Sequence, residues 1–257
     1  MTVLLVDVGN SRVKWARCER GVLGAQQAAV HAAWTADDWR AALFAGAAVE
    51  RVVTASVAGG ASLAALDEAA RAATGRGIER VTTQRRAAGV VNGYADPDLL
   101  GVDRWLAMIG AWRQVGGACV VADIGTAATV DVVAPDGRHR GGYIVPGPHL
   151  MIASLLRGTS DLASRHATSP PGAAATFADN TRDAIERGCR VALAAWVGRC
   201  FDDAQSQLGT LPRLLLTGGA SGELRPFLAV PGEEVPDLVL RGLATVAGVP
   251  PMPGAGC

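Results

Sequence analysis

The 257-residue sequence predicts an α/β fold of two lobes, each a mixed sheet flanked by helices. Three observations carry this expectation. A short apolar strand running into an Asp-x-Gly turn occurs twice. A second type of apolar strand, ending at a Gly-Gly pair, also occurs twice. Alanine-rich stretches with helical spacing of apolar residues separate these strands.

In chain order, Thr2 to Val6 is a continuous apolar run, the pattern of a strand buried on both faces, and it enters Asp7-Val8-Gly9-Asn10. Val13 to Cys18 follows as its hairpin partner. Arg51 to Val57 is a further strand ending before Gly59-Gly60, and Ser62 to Ala73 and Arg104 to Gln114 are helical. Ala118 to Ala122 restarts the first pattern, running into Asp123-Ile124-Gly125-Thr126, then Thr129 to Val133 and the turn Pro135-Asp136-Gly137. Thr181 to Gln207 is a long helix, with Gly188 and Gly198 as the places where it would break. Arg213 to Leu216 is the counterpart of Arg51 to Val57 and leads into Thr217-Gly218-Gly219. Ser169 to Ala175 is expected to be a loop and Pro250 to Cys257 a frayed tail. The lobes are expected at residues 1–115 and 116–257.

Composition removes several function classes. Apolar residues make up 49% of the chain, enough for buried sheets, and 24 basic residues balance 24 acidic ones. No overall positive field exists to draw in a nucleic acid. Val3 to Val6 is too short for a leader or a membrane span, so a cytoplasmic protein is expected. Five cysteines without a C-x-x-C pair suggest reduced thiols rather than disulfides or a zinc site, and the four histidines show no metalloprotease spacing.

The lone lysine, Lys14, is followed by Trp15, which excludes a P-loop, and no G-x-G-x-x-G follows a strand. The paired Asp-x-Gly turns offer another phosphate device, because a glycine turn lets backbone N–H groups approach phosphate oxygens. Asp7 and Asp123 would hold cations or water beside the polyphosphate, Asn10 and Thr126 would donate hydrogen bonds, and Lys14 would add charge. This is the layout of a duplicated actin-like (ribonuclease H-like) ATPase fold, with ATP expected between the two turns.

The motifs that carry a family likeness are long. Asp7-Val8-Gly9-Asn10-Ser11 through Lys14-Trp15-Ala16, Asn92-Gly93-Tyr94 through Pro97, Leu100-Gly101-Val102-Asp103-Arg104-Trp105, and Asp123 to Asp131 with Gly141-Gly142-Tyr143-Ile144 and Pro146-Gly147 resemble the type III pantothenate kinases almost end to end. Phe177, Asn180, Thr181 and Gly188 continue the likeness. The resemblance implies ATP-dependent phosphorylation of pantothenate, the first step towards coenzyme A. It implies Asp103 as general base, and Tyr94, Gly101, Val102, Asp103, Arg104 and Thr181 as the pantothenate pocket. Asp7, Val8, Gly9, Asn10, Ser11, Arg12, Val13, Lys14 and Thr126 become the ATP contacts, with Gly218-Gly219 near the adenosine. It further implies magnesium, potassium or ammonium with Asp123 as the potassium ligand, and a homodimer sharing the pantothenate pocket. Neither nucleic acid nor membrane is an expected partner.

Each of these residues has a plainer reading. Asp103 would serve as a helix N-cap, Arg104 as a solvated helix cation and Tyr94 as a packing aromatic. The arginine-rich stretch from Arg76 to Arg86 reads as a solvated face. Two rival functions share the fold class: a kinase or phosphatase with another acceptor, and a regulatory binding protein. Tyr94 with Gly101 to Arg104 argues against the first, and an intact Asp103 against the second.

Overall fold

The computed structural model describes residues 1–46, 48–168 and 177–249; the loop expected at Ser169 to Ala175 and the tail expected at Pro250 to Cys257 lie outside the described residues. Met1–Gly117, Val133–Gly141 and the segment beginning at Asp237 form one compact unit, and Ala118–Val132 with Gly142–Pro236 form the other.

The first unit opens with β1 (Thr2–Val8) and β2 (Arg12–Glu19), an antiparallel hairpin. β3 (Val22–Leu23) and β4 (Gln27–Val30) both pair with β2. Helix α1 (Ala36–Leu43) starts with a capping box: the Asp38 N–H donates to the Thr35 hydroxyl, and Asp38 accepts from the Thr35 backbone. β5 (Arg51–Ser56) then runs parallel to β1, α2 (Gly60–Thr74) follows, and β6 (Glu79–Arg80) runs parallel to β5. The strand order is β3-β2-β1-β5-β6. β1 is buried on both faces because it is central. Leu4, Val6 and Val8 pack on Trp39, Leu43, Leu66, Ala69 and Ala70 from α1 and α2. Val3 and Leu5, equally buried, face the other way. A small hairpin, β7 (Arg86–Ala87) with β8 (Val90–Val91), and a 3₁₀ turn at Pro97–Leu99 lead into α3 (Val102–Val115).

The second sheet repeats the plan of the first. β9 (Cys119–Ile124), β10 (Ala127–Val133) and β11 (His139–Pro146) are followed by α4 (Pro148–Gly158), α5 (Ser160–Thr168) and α6 (Thr181–Leu208). β12 (Arg213–Thr217), parallel to β9, α7 (Ser221–Leu224) and β13 (Glu233–Glu234) complete a sheet of order β11-β10-β9-β12-β13. Every strand of this order has a counterpart in the first sheet. The duplication reaches single ion pairs. Arg51 at the start of β5 holds Glu79 of β6, at 2.7 Å, and Arg213 at the start of β12 holds Glu233 of β13 in the same register. The Arg51 guanidinium keeps the Glu79 carboxyl below the usual carboxylate range.

Helix α6 runs unbroken for 28 residues, so neither Gly188 nor Gly198 interrupts it; each is an interior position with nothing close by, and the helix tolerates it. Its buried side, including Leu193, Val197, Cys200, Phe201 and Ala204, covers β9, β10 and β12. The last helix, α8 (Leu238–Val246), packs along α3 and touches β1, so the C-terminal segment belongs with the first unit although it follows the second in sequence. That packing is close because Gly110 and Gly242 have no side chains: a Cβ on Gly242 would stand 1.9 Å from the Leu106 carbonyl oxygen. The four described cysteines are free and buried, and burial pushes the Cys119 thiol up to about 12, which leaves no thiolate at neutral pH. No described helix is long and apolar enough to cross a membrane.

Candidate active site

The first glycine turn joins β1 to β2 across Gly9, Asn10 and Ser11. Asn10, Ser11 and Arg12 are exposed, whereas Asp7, Val8 and Val13 on the flanking strands are buried. Antiparallel register sets Asp7 directly opposite Lys14, so the carboxylate and the only ammonium side chain of the protein lie on one face of the hairpin. The Gly9 N–H donates to the Arg12 carbonyl at 3.0 Å. In the second unit, the Gly125 N–H likewise donates to the Ala127 carbonyl, at 2.9 Å. These two N–H groups close the hairpins, and the exposed residues of the turns are those that follow, Asn10 and Ser11 in one and Thr126 in the other.

The segment from Asn92 to Trp105 lies in the first unit and is pinned by side chains. Asn92, 2% exposed, donates to the Gln84 and Pro97 carbonyls and accepts the Tyr94 N–H at 2.9 Å. Arg85 forks onto the carbonyls of Tyr94 and Ala95, both at 2.7 Å, and the Thr83 hydroxyl donates to Leu100. Arg85 therefore clamps the segment while staying exposed, and Arg76, Arg80 and Arg86 are exposed too, in keeping with the reading of the Arg76 to Arg86 stretch as a solvated face. Thr83 and Arg85 carry no motif signal. Only the fold brings Arg85 to carbonyls 9 and 10 residues on and Thr83 to one 17 residues on.

This clamped loop delivers Tyr94 to the start of α3. The Arg104 Nη1 donates to the Tyr94 hydroxyl at 2.9 Å, and the Tyr94 ring stacks on His139 with centroids 5.9 Å apart. The Arg104 guanidinium carbon is 5.7 Å from the ring centroid, but the hydroxyl contact places it at the ring's rim, so hydrogen bonding rather than a cation–π face defines the pair. Arg104 is only 7% exposed, which removes its reading as a solvated helix cation. A buried guanidinium on a half-buried tyrosine hydroxyl is a donor set suited to a carboxylate.

Asp103 is not the N-cap of α3. Gly101 occupies that position, and Asp103 sits in the first turn, half-buried, with Oδ1 accepting the Arg104 N–H at 2.8 Å. The carboxylate curls back over the chain, and this needs Gly101: a Cβ there would meet Asp103 Oδ1 at 2.6 Å. Val102 is buried beside it and anchors the turn.

In the second unit, Asp123 is half-buried near the end of β9, opposite Thr217 of β12. Gly218, at φ +93°, lets the backbone pass where a Cβ would lie 2.4 Å from both Asp123 Oδ1 and the Ile124 carbonyl. The Asp123 carboxylate and the Ile124 carbonyl thus both lie close to Gly218, and the Ile124 carbonyl accepts the Ala220 N–H at 2.9 Å. Among the described residues no group of three or more His, Cys, Asp or Glu side chains could hold a metal. Thr181 is the first residue of α6, capped by Asn180, whose side chain accepts the Asp183 N–H. Thr181, Asp123 and Thr126 belong to the second unit, and Asp7 to Lys14, Tyr94 and Gly101 to Arg104 belong to the first.

Residues 3–203 match the family model for type III pantothenate kinase. A type III pantothenate kinase of Azoarcus sp. strain BH72 is 41% identical over 95% of this chain and 90% of its own length, and that of Aromatoleum aromaticum 39% over 95% and 97%. Solved structures of similar shape include a protein described as a Baf family transcriptional activator from Campylobacter jejuni, with TM-score 0.56, 20% identity, and coverage of 95% of this chain and 97% of that one. A protein described as a 2-dehydro-3-deoxygalactonokinase from Sinorhizobium meliloti has TM-score 0.57 and 16% identity, covering 95% and 98%. At these identities the structural likenesses establish the actin-like fold and nothing of the acceptor.

Proposed function

The chain belongs to the type III pantothenate kinase family, and from that premise we infer that it transfers the γ-phosphoryl group of ATP to the primary hydroxyl of pantothenate, giving 4'-phosphopantothenate and ADP. This is the first step of coenzyme A biosynthesis. The observation that best supports the acceptor is the trio of Asp103, Arg104 and Tyr94 at the start of α3.

We assign the roles from that geometry. Arg104 and the Tyr94 hydroxyl bind the pantothenate carboxylate, with the Arg85 and Asn92 clamp holding Tyr94 in place. The Arg104 N–H fixes Asp103 Oδ1, so the carboxylate plane is set before the substrate arrives. As the hydroxyl oxygen bonds to phosphorus and the bond to ADP breaks, the hydroxyl proton passes to Asp103. Gly101 and Val102 shape the turn that presents this carboxylate, and Thr181 is assigned a further substrate contact. The ATP contacts are assigned to Asp7 through Lys14 and to Thr126, with Lys14 offsetting phosphate charge.

Magnesium fits the few carboxylates present, since it is usually held by one or two of them and by the phosphates themselves. Asp123, half-buried near the end of β9, is the carboxylate assigned to potassium or ammonium. Bound there, these cations would neutralise charge developing on the phosphates. A homodimer in the cytoplasm completes the reading. With the native protein, ADP release from ATP should require pantothenate and should be faster in potassium or ammonium than in sodium. No ADP release with pantothenate under any cation would overturn the acceptor, and equal rates in all cations would remove the Asp123 assignment.

The carboxylate site has its own test. Tyr94→Phe deletes one hydroxyl and should raise KM for pantothenate about threefold to tenfold, and Arg104→Leu should raise it about ten- to a hundredfold, with KM for ATP within twofold in both. A pantothenate KM unmoved in Arg104→Leu would place the carboxylate elsewhere.

A further inference from the structure

We infer that His31 is a positioning residue that aims the first phosphate turn; this rests on the reading of that turn as an ATP contact. His31 follows β4, which pairs with β2 so that Val30 stands opposite Arg12. The ring is 3% exposed, and its Nε2 lies 2.7 Å from the Gly9 carbonyl oxygen. It sits 5.5 Å from the Trp39 ring, and Trp39 is itself fully buried and edge-on to Trp34.

A carbonyl can only accept, so Nε2 must carry the proton, and the ring is held as the Nε2–H tautomer. The buried Nδ1 has no hydrogen-bond partner, so a proton there would be a donor with nothing to receive it. Every feature of the pocket therefore favours one job, donation to Gly9. The consequence follows from peptide geometry. In a trans peptide the C=O and the next N–H point in opposite directions. With the Gly9 carbonyl drawn inward to His31, the Asn10 N–H is turned outward on an exposed residue. Because the Gly9 N–H is already used in closing the hairpin, Asn10 supplies the next backbone donor of the turn, and His31 sets its direction. Without His31 the peptide plane would be free to rotate, and phosphate binding would bear the cost of ordering it.

The test is steady-state kinetics of His31→Phe and His31→Gln beside Lys14→Ala. Phenylalanine keeps the packing on Trp39 but removes the donor, and glutamine restores an N–H near the Nε2 position. Loss of one such bond should raise KM for ATP about tenfold in His31→Phe, with KM for pantothenate within twofold, and His31→Gln should recover most of it. A purely structural role would instead lower the melting temperature and kcat without separating the two KM values, and that result overturns the inference. If Lys14→Ala raises KM for ATP while His31→Phe does not, the inference fails and the ATP reading survives. If neither moves it, the turn does not bind ATP. Should the phenylalanine variant not fold, long-range ¹H–¹⁵N correlation on the native protein decides: an Nε2–H tautomer at His31 supports the assignment, and an Nδ1–H tautomer refutes it.

Discussion

Asp103→Asn is expected to lower kcat by about a hundred- to ten-thousandfold, the usual contribution of a positioned general base. The substitution is nearly isosteric. An asparagine carbonyl can still accept the Arg104 N–H that Asp103 Oδ1 accepts at 2.8 Å, so the turn keeps its geometry. What is lost is the capacity to take up the hydroxyl proton. Stability should change little, because Gly101 rather than Asp103 is the N-cap and only a first-turn charge is removed, worth about 0.3–1 kcal/mol. Steady-state kinetics with both substrates, alongside a thermal melt, separates the outcomes. A kcat within fivefold of native would show that phosphoryl transfer proceeds here without base assistance from Asp103. A collapse of both activity and melting temperature would assign Asp103 a structural role instead.

Gly242→Ala should destabilise the fold by about 3 kcal/mol, at the upper end for overpacking, because the added methyl meets backbone rather than a movable side chain. The Leu106 carbonyl oxygen would lie 1.9 Å away and its carbon 2.7 Å. Helices α3 and α8 would have to separate, and α3 carries Asp103 and Arg104 on its first turn. The expected fall in melting temperature is roughly 6–12 °C for a chain of this size. Gly198→Ala is the internal contrast. It lies inside α6 with open space around it, so the same change should stabilise by about 0.5–1 kcal/mol through helix propensity. Equal melting temperatures for the two variants would show that the α3–α8 contact relaxes freely.

The likeness between the halves was readable because it is local. Asp7 and Asp123 each follow an apolar run, and Arg51 and Arg213 each open a strand, so periodicity and spacing along a few residues expose the repeat. The matching sheet orders and the paired Arg51–Glu79 and Arg213–Glu233 contacts are its three-dimensional form. Asp103, Arg104 and Tyr94 were legible for a related reason, since they lie within a contiguous motif. The plainer readings of Arg104 and Asp103 were answered only by burial and by the cap at Gly101, whereas Tyr94, half-buried and stacked on His139, does pack as an aromatic as well. Gly188 and Gly198 misled in the opposite direction. A glycine's cost to a helix is about 1 kcal/mol, and the packing of Leu193, Val197 and Phe201 outweighs it.

The amino-acid sequence by itself determined the two strand-turn units, their Asp-x-Gly turns and the identity of the groups available for chemistry. These follow from residue type and spacing over a handful of positions. The tertiary structure decided which of those groups are held ready. The bond from His31 to Gly9 joins positions 22 apart, the Arg85 fork reaches positions 9 and 10 residues on, and α8 returns from the end of the chain to a glycine contact with α3. No local pattern announces such contacts. A histidine after a short strand acquires its role only when chain packing removes water and leaves one partner within reach, and an exposed arginine on a polar stretch only when the fold brings carbonyls to its fork.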